Sequence, residues 1–94
     1  MNMDDADKNT ALMVDGNAVA GQLMDVFGRD MTIAVVRCGG CTREAEMGAL
    51  MAFTRGPGLV LRCPACEAAI ARVVETPTAI YVEARGASFL RLPR

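Results

Sequence analysis

The chain contains no histidine and no tryptophan, and it has one lysine (Lys8), one tyrosine (Tyr81) and one serine (Ser88). Each scarcity removes a class of function. Without histidine there is no serine–histidine triad, and a closed metal site falls to the cysteines. With Phe27, Phe53, Phe89 and Tyr81 as the only aromatics, single-stranded bases would find few rings to stack on. No apolar run reaches the ~18 residues that a membrane span needs. The first residues, Met1 to Lys8, are acidic where a secretory leader is basic. The expectation is a cytoplasmic, non-catalytic protein with neither a membrane partner nor a small-molecule substrate. In that compartment, paired cysteines point to metal or redox chemistry rather than to structural disulfides.

Ninety-four residues make one domain, and a domain of this size is often secured by a metal, by disulfides or by a partner. The apolar fraction, 52%, is high for so short a chain. It suggests self-association or a larger partner subunit, although alanine and glycine also inflate it. Net charge is −1 but unevenly spread. Residues 1–30 carry −4 and residues 31–94 carry +3, with nine of the ten basic residues being arginine. Arginine suits bidentate contact with phosphates, yet a +3 segment is a weak nucleic-acid signal. Four metal-bound thiolates would cancel most of it.

Three segments are expected. Residues 1–10 read as a disordered acidic tail. Residues 11–30 read as an amphipathic helix, capped by Asp15 or Asn17 and closed by Gly28. Its stripe is Ala20, Leu23, Met24 and Phe27, with Val19 and Val26 flanking, and Leu23, Met24 and Phe27 are the candidate partner-binding residues. Because the helix is short and contains Gly21, it must dock on something. Residues 31–94 read as a β domain. Its expected strands are Thr32–Arg37, Met47–Thr54, Leu59–Arg62, Ala69–Thr76, Ala79–Ala84 and Ser88–Leu92, with turns at Gly56-Pro57-Gly58 and Thr76-Pro77-Thr78.

One internal repeat stands out. Val36-Arg37-Cys38-Gly39-Gly40-Cys41 matches Leu61-Arg62-Cys63-Pro64-Ala65-Cys66, an aliphatic strand followed by Arg and Cys-x-x-Cys. Two intervening residues let both sulfurs of a pair face one point. The 21 residues between the pairs accommodate two strands and a hairpin that returns the chain to its start. Tetrahedral zinc takes four sulfurs at about 2.3 Å, and an all-cysteine site leaves no open position for substrate. Cys38, Cys41, Cys63 and Cys66 are therefore the expected ligands of one structural zinc ion, with iron the less favoured metal. An oxidative switch that expels the metal is also open to such a cluster. Arg37, Arg43 and Arg62 lie near enough in sequence to offset thiolate charge, or to meet phosphates with Arg55 and Arg72. Glu44 and Glu46 read as solvated. The seven methionines read as core filler.

The arrangement resembles the zinc-ribbon class: a small antiparallel β-sheet with two Cys-x-x-Cys knuckles, here preceded by one N-terminal α-helix. A longer pattern is similar to a family of small uncharacterised bacterial proteins over residues 12–92. It runs through Asp15-Gly16-Asn17-Ala18, Val26-Phe27-Gly28-Arg29-Asp30-Met31-Thr32, Arg37 to Cys41 and Gly56 to Cys66. That resemblance implies an accessory or bridging subunit beside flavin- or molybdenum-dependent oxidoreductases. The Cys-Pro-x-Cys of the second pair also resembles rubredoxin, which implies an iron electron carrier. Rubredoxins, however, surround their iron with aromatic rings that this chain lacks. The expected function is a non-catalytic protein-interaction module, with a transcription-associated or nucleic-acid-binding ribbon and an electron carrier as alternatives.

Overall fold

A computed structural model describes residues 13–54 and 58–94. The expected tail, residues 1–10, lies outside them, as do Arg55, Gly56 and Pro57 of the expected turn. In chain order the elements are β1 (Met13–Asp15), α1 (Ala20–Phe27), β2 (Val35–Cys38), β3 (Glu44–Glu46), β4 (Met51–Phe53), β5 (Gly58–Arg62), β6 (Ala69–Glu75), β7 (Ile80–Glu83) and β8 (Ala87–Arg91). Short 3-10 turns occupy Gly16–Val19 and Met47–Ala49. The result is β-rich and antiparallel with one helix. The strands form two sheets rather than one, a five-stranded sheet ordered β1-β4-β5-β6-β7 and a three-stranded sheet ordered β3-β2-β8.

The helix expected over residues 11–30 is shorter and begins later. Met13 to Asp15 pair with Phe53 to Met51 as a strand. The Asp15 carboxylate then accepts the Ala18 N–H at 3.0 Å and turns the chain into the 3-10 segment. Local pattern favoured a helix here, but pairing with β4 satisfies the backbone instead. Gly28 does close the helix as expected. Its φ is 74° and its N–H reaches the Met24 carbonyl at 2.8 Å.

The buried line of α1 also differs from the expected stripe. Val19, Leu23 and Val26, spaced four and three apart, turn to the core, and Leu23 is fully buried. Met24 and Phe27 stay 44% and 36% exposed. Leu23 is thus a core residue and not a partner contact, a correction to the sequence-based expectation. Its burial stabilises the fold by about 2 kcal/mol, and the helix docks on its own sheets.

Two strands begin where the sequence did not place them. Residues Thr32 and Ile33 are not extended, because the Asp30 carboxylate accepts both the Thr32 N–H (3.0 Å) and its hydroxyl (2.6 Å) and bends the chain. These bonds hold the Asp30 carboxyl below its usual pKa, the Thr32 hydroxyl acting first. The expected Met47–Thr54 strand is interrupted. Met47 and Gly48 donate to the carbonyls of Ala34 and Thr32, 2.8 and 2.9 Å, so the strand starts only at Met51. β3 precedes this turn and pairs with β2, with Arg37 opposite Glu44. Glu44 is exposed, as expected, and its carboxylate also finds a cation there. It meets Arg91 at 3.1 Å on the surface of the three-stranded sheet.

The core lies between the sheets and beneath α1. β5 alternates, turning Leu59 and Leu61 inward, and meets Ile70 and Val73 of β6 and Val36 of β2. The turn from β7 into β8 joins the two sheets at Gly86. Its N–H donates to the Ile70 carbonyl (3.1 Å), and its own carbonyl accepts the Gly39 N–H (2.8 Å). A Cβ at Gly86 would strike the backbone of Ala69 and Ile70, so only glycine lets the strands close this tightly. Among the described residues, no helix is long and apolar enough to cross a membrane.

Candidate metal centre

Cys38 ends β2 and Cys63 directly follows β5, so each cysteine pair begins where a strand stops. The two turns beyond these strand ends share one hydrogen-bond frame. In the first, the Cys38 N–H donates to Arg43 O (2.9 Å) and the Thr42 N–H returns to Cys38 O (2.9 Å). In the second, Cys63 N–H donates to Ala68 O (2.9 Å) and Glu67 N–H returns to Cys63 O (2.8 Å). The N–H two residues beyond each leading cysteine points at its sulfur: Gly40 to Cys38 at 3.3 Å, Ala65 to Cys63 at 3.4 Å. Even the strained residue recurs. Thr42 and Glu67, each four beyond its leading cysteine, have φ of 68° and 65°, the only non-glycine residues with positive φ among the described residues. The repeat seen in the sequence is therefore a repeat of backbone geometry.

The frame brings all four sulfurs within 4.8 Å of one another. Cys38 Sγ lies 3.6 Å from Cys66 Sγ, and Cys41 Sγ lies 3.7 Å from Cys63 Sγ. A disulfide requires about 2.05 Å. A tetrahedron of sulfurs bound at about 2.3 Å has edges of about 3.8 Å, close to both contacts. The four cysteines are arranged to hold a metal ion. The leading cysteines, Cys38 and Cys63, are buried, while Cys41 is half-buried and Cys66 exposed.

The thiols do not titrate alike. Cys38 is lowered to about 7, because the backbone N–H groups of Cys41 and Gly40 stabilise its thiolate. At Cys63 burial raises the pKa, but the N–H groups of Cys66 and Ala65 outweigh it and the net shift is downward. Cys66 goes the other way, to about 11. The Ala68 N–H pulls it down, but desolvation and the three neighbouring sulfurs outweigh that. Crowded sulfurs without a cation cannot all ionise together, and a bound cation removes that conflict. An all-sulfur donor set suits soft or borderline ions.

A cleft of about 270 Å³ opens beside the sulfurs of Cys38 and Cys63, with Val36, Leu50 and Ile70 in its walls and Arg43 and Glu44 among its lining residues. Arg37 and Arg62 do not gather around it. The Arg37 guanidinium lies 6.0 Å from the Phe89 ring centre, and that of Arg62 5.8 Å from Phe53. Arg62 also donates to the Glu67 carbonyl at 3.0 Å, bracing the second turn. Arg37 lies on the three-stranded sheet and Arg62 and Arg72 on the five-stranded one, with Arg72 beside Glu83 at 3.9 Å.

A surface the sequence reading missed lies at β7, an edge of the five-stranded sheet. Ile80, Tyr81 and Val82 are 50%, 63% and 46% exposed. The available signal was three consecutive large apolar residues without polar alternation, which a strand can bury on both faces only in the middle of a sheet. The other sheet edges carry Asp15 (β1), Glu44 and Glu46 (β3), and Ser88 and Arg91 (β8), the polar and charged residues that discourage strand addition.

Over residues 7–94 the chain matches the model of a family of unknown function, DUF6510, and it belongs to that family. The match spans all four cysteines. No curated protein and no solved structure matches the chain.

Proposed function

We propose that the four cysteines hold one zinc ion as a structural zinc ribbon and that the chain is a non-catalytic interaction module, an accessory subunit of a larger protein. The observation that carries the metal assignment is the duplicated turn. Both cysteine pairs use a strand end, the same backbone frame and the same N–H to sulfur bond, which supports reading each pair as a zinc knuckle. Metal binding then contributes directly to folding, because the four sulfurs converge only in the folded chain. Four thiolates complete a tetrahedral shell and leave no position for substrate activation.

The interaction role rests on the β7 edge. An exposed apolar edge strand is a template for an added strand, with main-chain bonds supplying affinity and side chains supplying selectivity. Met24 and Phe27 add exposed apolar surface on α1. Of the arginines named for nucleic acid, Arg37 lies over a ring on one sheet, while Arg62 and Arg72 engage a ring, a carbonyl and a carboxylate on the other, which favours the protein partner. Membership of an oxidoreductase complex is the form of this reading that the sequence resemblance suggests.

Elemental analysis with a visible spectrum, on protein from its native host, tests the metal. One zinc per chain and no colour support the reading. One iron per chain with a red thiolate band replaces it with electron transfer. For the partner, a photo-crosslinking residue is placed at position 81 and, separately, at exposed position 67. A single adduct from position 81 alone supports docking at β7. Equal adducts from both positions, or none, remove it.

A further inference from the structure

β7 is the outer strand of the five-stranded sheet, and register decides which of its main-chain groups are used. The Thr76 N–H donates to the Ala79 carbonyl at 2.8 Å, and the same register continues with Val74 opposite Tyr81 and Arg72 opposite Glu83. In an antiparallel ladder, bonded and unbonded pairs alternate. Tyr81 and Glu83 therefore direct their main-chain groups at β6, while Ile80 and Val82 turn theirs outward. The flanking groups are engaged locally. The Thr78 N–H donates to the Thr76 hydroxyl at 3.4 Å, and the Ala84 carbonyl accepts the Ala87 N–H at 3.1 Å. The edge thus offers two residues, placed symmetrically about Tyr81.

A template symmetric about one residue is complementary to itself. We infer that the β7 edge binds a second copy of this chain, antiparallel, about a two-fold axis at Tyr81. Ile80 then pairs with Val82 of the second copy, and Val82 with Ile80 of that copy. Each pair exchanges both N–H to carbonyl bonds, and the two five-stranded sheets become one. The inference rests on the reading of β7 as a docking edge and names its occupant. A larger protein then meets a pair of chains.

The side chains suit this register. Tyr81, exposed in the single chain, stands directly opposite its counterpart as an aromatic pair across the strands. Ile80 and Val82 lie on the other face, where Val82, Phe27 and Leu90 line an apolar crevice of about 40 Å³. Ile80 of the second copy, opposite Val82 and on the same face, arrives beside that crevice, and the two-fold repeats the contact. Glu83 faces the neutral Ala79. Other axes fit less well. Centring on Val82 or on Ile80 needs the Ala84 carbonyl or the Thr78 N–H, both already engaged, and centring on Glu83 opposes two carboxylates. A head-to-tail array would need β1 of another copy, whose Asp15 discourages strand addition, so pairing closes at two chains.

Tyr81 is the only tyrosine in the chain, which supplies a direct readout. The full chain, as purified with its metal, is weighed by sedimentation equilibrium over a concentration series. It is then illuminated briefly with a ruthenium photo-oxidant, which couples tyrosine rings that touch. The expected result is a species of twice 10.0 kDa that carries dityrosine. After trypsin, the coupled product should be two copies of peptide 73–85 joined through Tyr81. Ile80→Pro removes an outward N–H and no bond to β6. Metal content and circular dichroism should hold, while dimerisation weakens about tenfold or more and dityrosine falls with it. If that variant does not fold, Tyr81→Lys decides, because it opposes two cations at the axis and should leave a monomer. A chain that stays at 10.0 kDa up to millimolar concentration overturns the inference. So does a dimer without dityrosine, or one that both variants leave intact. A monomer whose position 81 crosslinks to a different protein overturns the second copy alone and keeps β7 as a docking edge. A monomer with no adduct at position 81 removes both.

Discussion

The two cysteine turns share a backbone and differ in what surrounds them. The Cys38 turn docks against its neighbours, since Gly39 donates to Gly86 and Gly86 in turn donates to Ile70 of the other sheet. A Cβ at Gly39 would sit 3.1 Å from the Gly86 carbonyl oxygen. The Cys63 turn has Pro64 at the corresponding position, which has no N–H to donate, and it is braced locally by Arg62 against Glu67. One turn is held in shape from outside and carries two glycines. The other stiffens itself with proline and a side chain. The sulfurs dictate the turn's backbone, while the neighbourhood dictates which residues may fill it.

The largest expected effects erase the comparison. Cys38→Ser and Cys63→Ser each remove a ligand from a shared site, so both should abolish metal binding and cooperative unfolding despite their different surroundings, read by metal content and circular dichroism. A stably folded, metal-free Cys63→Ser protein would contradict the structural role. Gly86→Ala ranks second, because the new methyl meets the Ala69 and Ile70 backbone. It should cost about 3 kcal/mol in thermal or denaturant unfolding, and it acts on the Cys38 turn through the lost Gly39 contact.

A finer pair separates adjacent residues of that turn. Gly39→Ala presses on the Gly86 carbonyl and should cost about 1 kcal/mol. Gly40→Ala should be neutral or mildly stabilising, within about 0.5 kcal/mol. Its Cβ would have nothing closer than 3.7 Å, its φ is not positive, and the other turn already has Ala65 there. Equal losses at both positions would show that docking against Gly86 does not constrain the turn. The smallest effect is a gain. Glu67→Gly relieves the left-handed strain at that position and should raise stability by up to about 1 kcal/mol in denaturant titrations, with metal content unchanged. A loss would mean that the Glu67 side chain contributes something other than strain.

Much of the metal centre was legible in the sequence, because Cys-x-x-Cys on a strand end is a local instruction, repeated here with the same preceding arginine. Gly28 was legible as a helix stop for the same reason, since a left-handed terminus needs only its own residue. The places where reading failed all depend on a distant partner. Met13 to Asp15 form a strand only because β4 lies beside them. The stripe of α1 was misjudged because helical spacing shows that apolar residues share a side but not which side the core occupies. Leu23 consequently passed for surface while Val19 and Val26 were relegated to the flanks. The Glu44–Arg91 pair forms across β2, in a sheet whose order no local pattern announces.

The sequence by itself determined the two turns, their cysteine ligand set and most of the strands, since each is set by steric and hydrogen-bonding preferences that act within a few residues. Only the tertiary structure decided that there are two sheets, that Gly86 joins them and that the β7 edge is left bare. Those outcomes depend on long-range packing and strand order, where many pairings satisfy the same local preferences and the buried core selects among them.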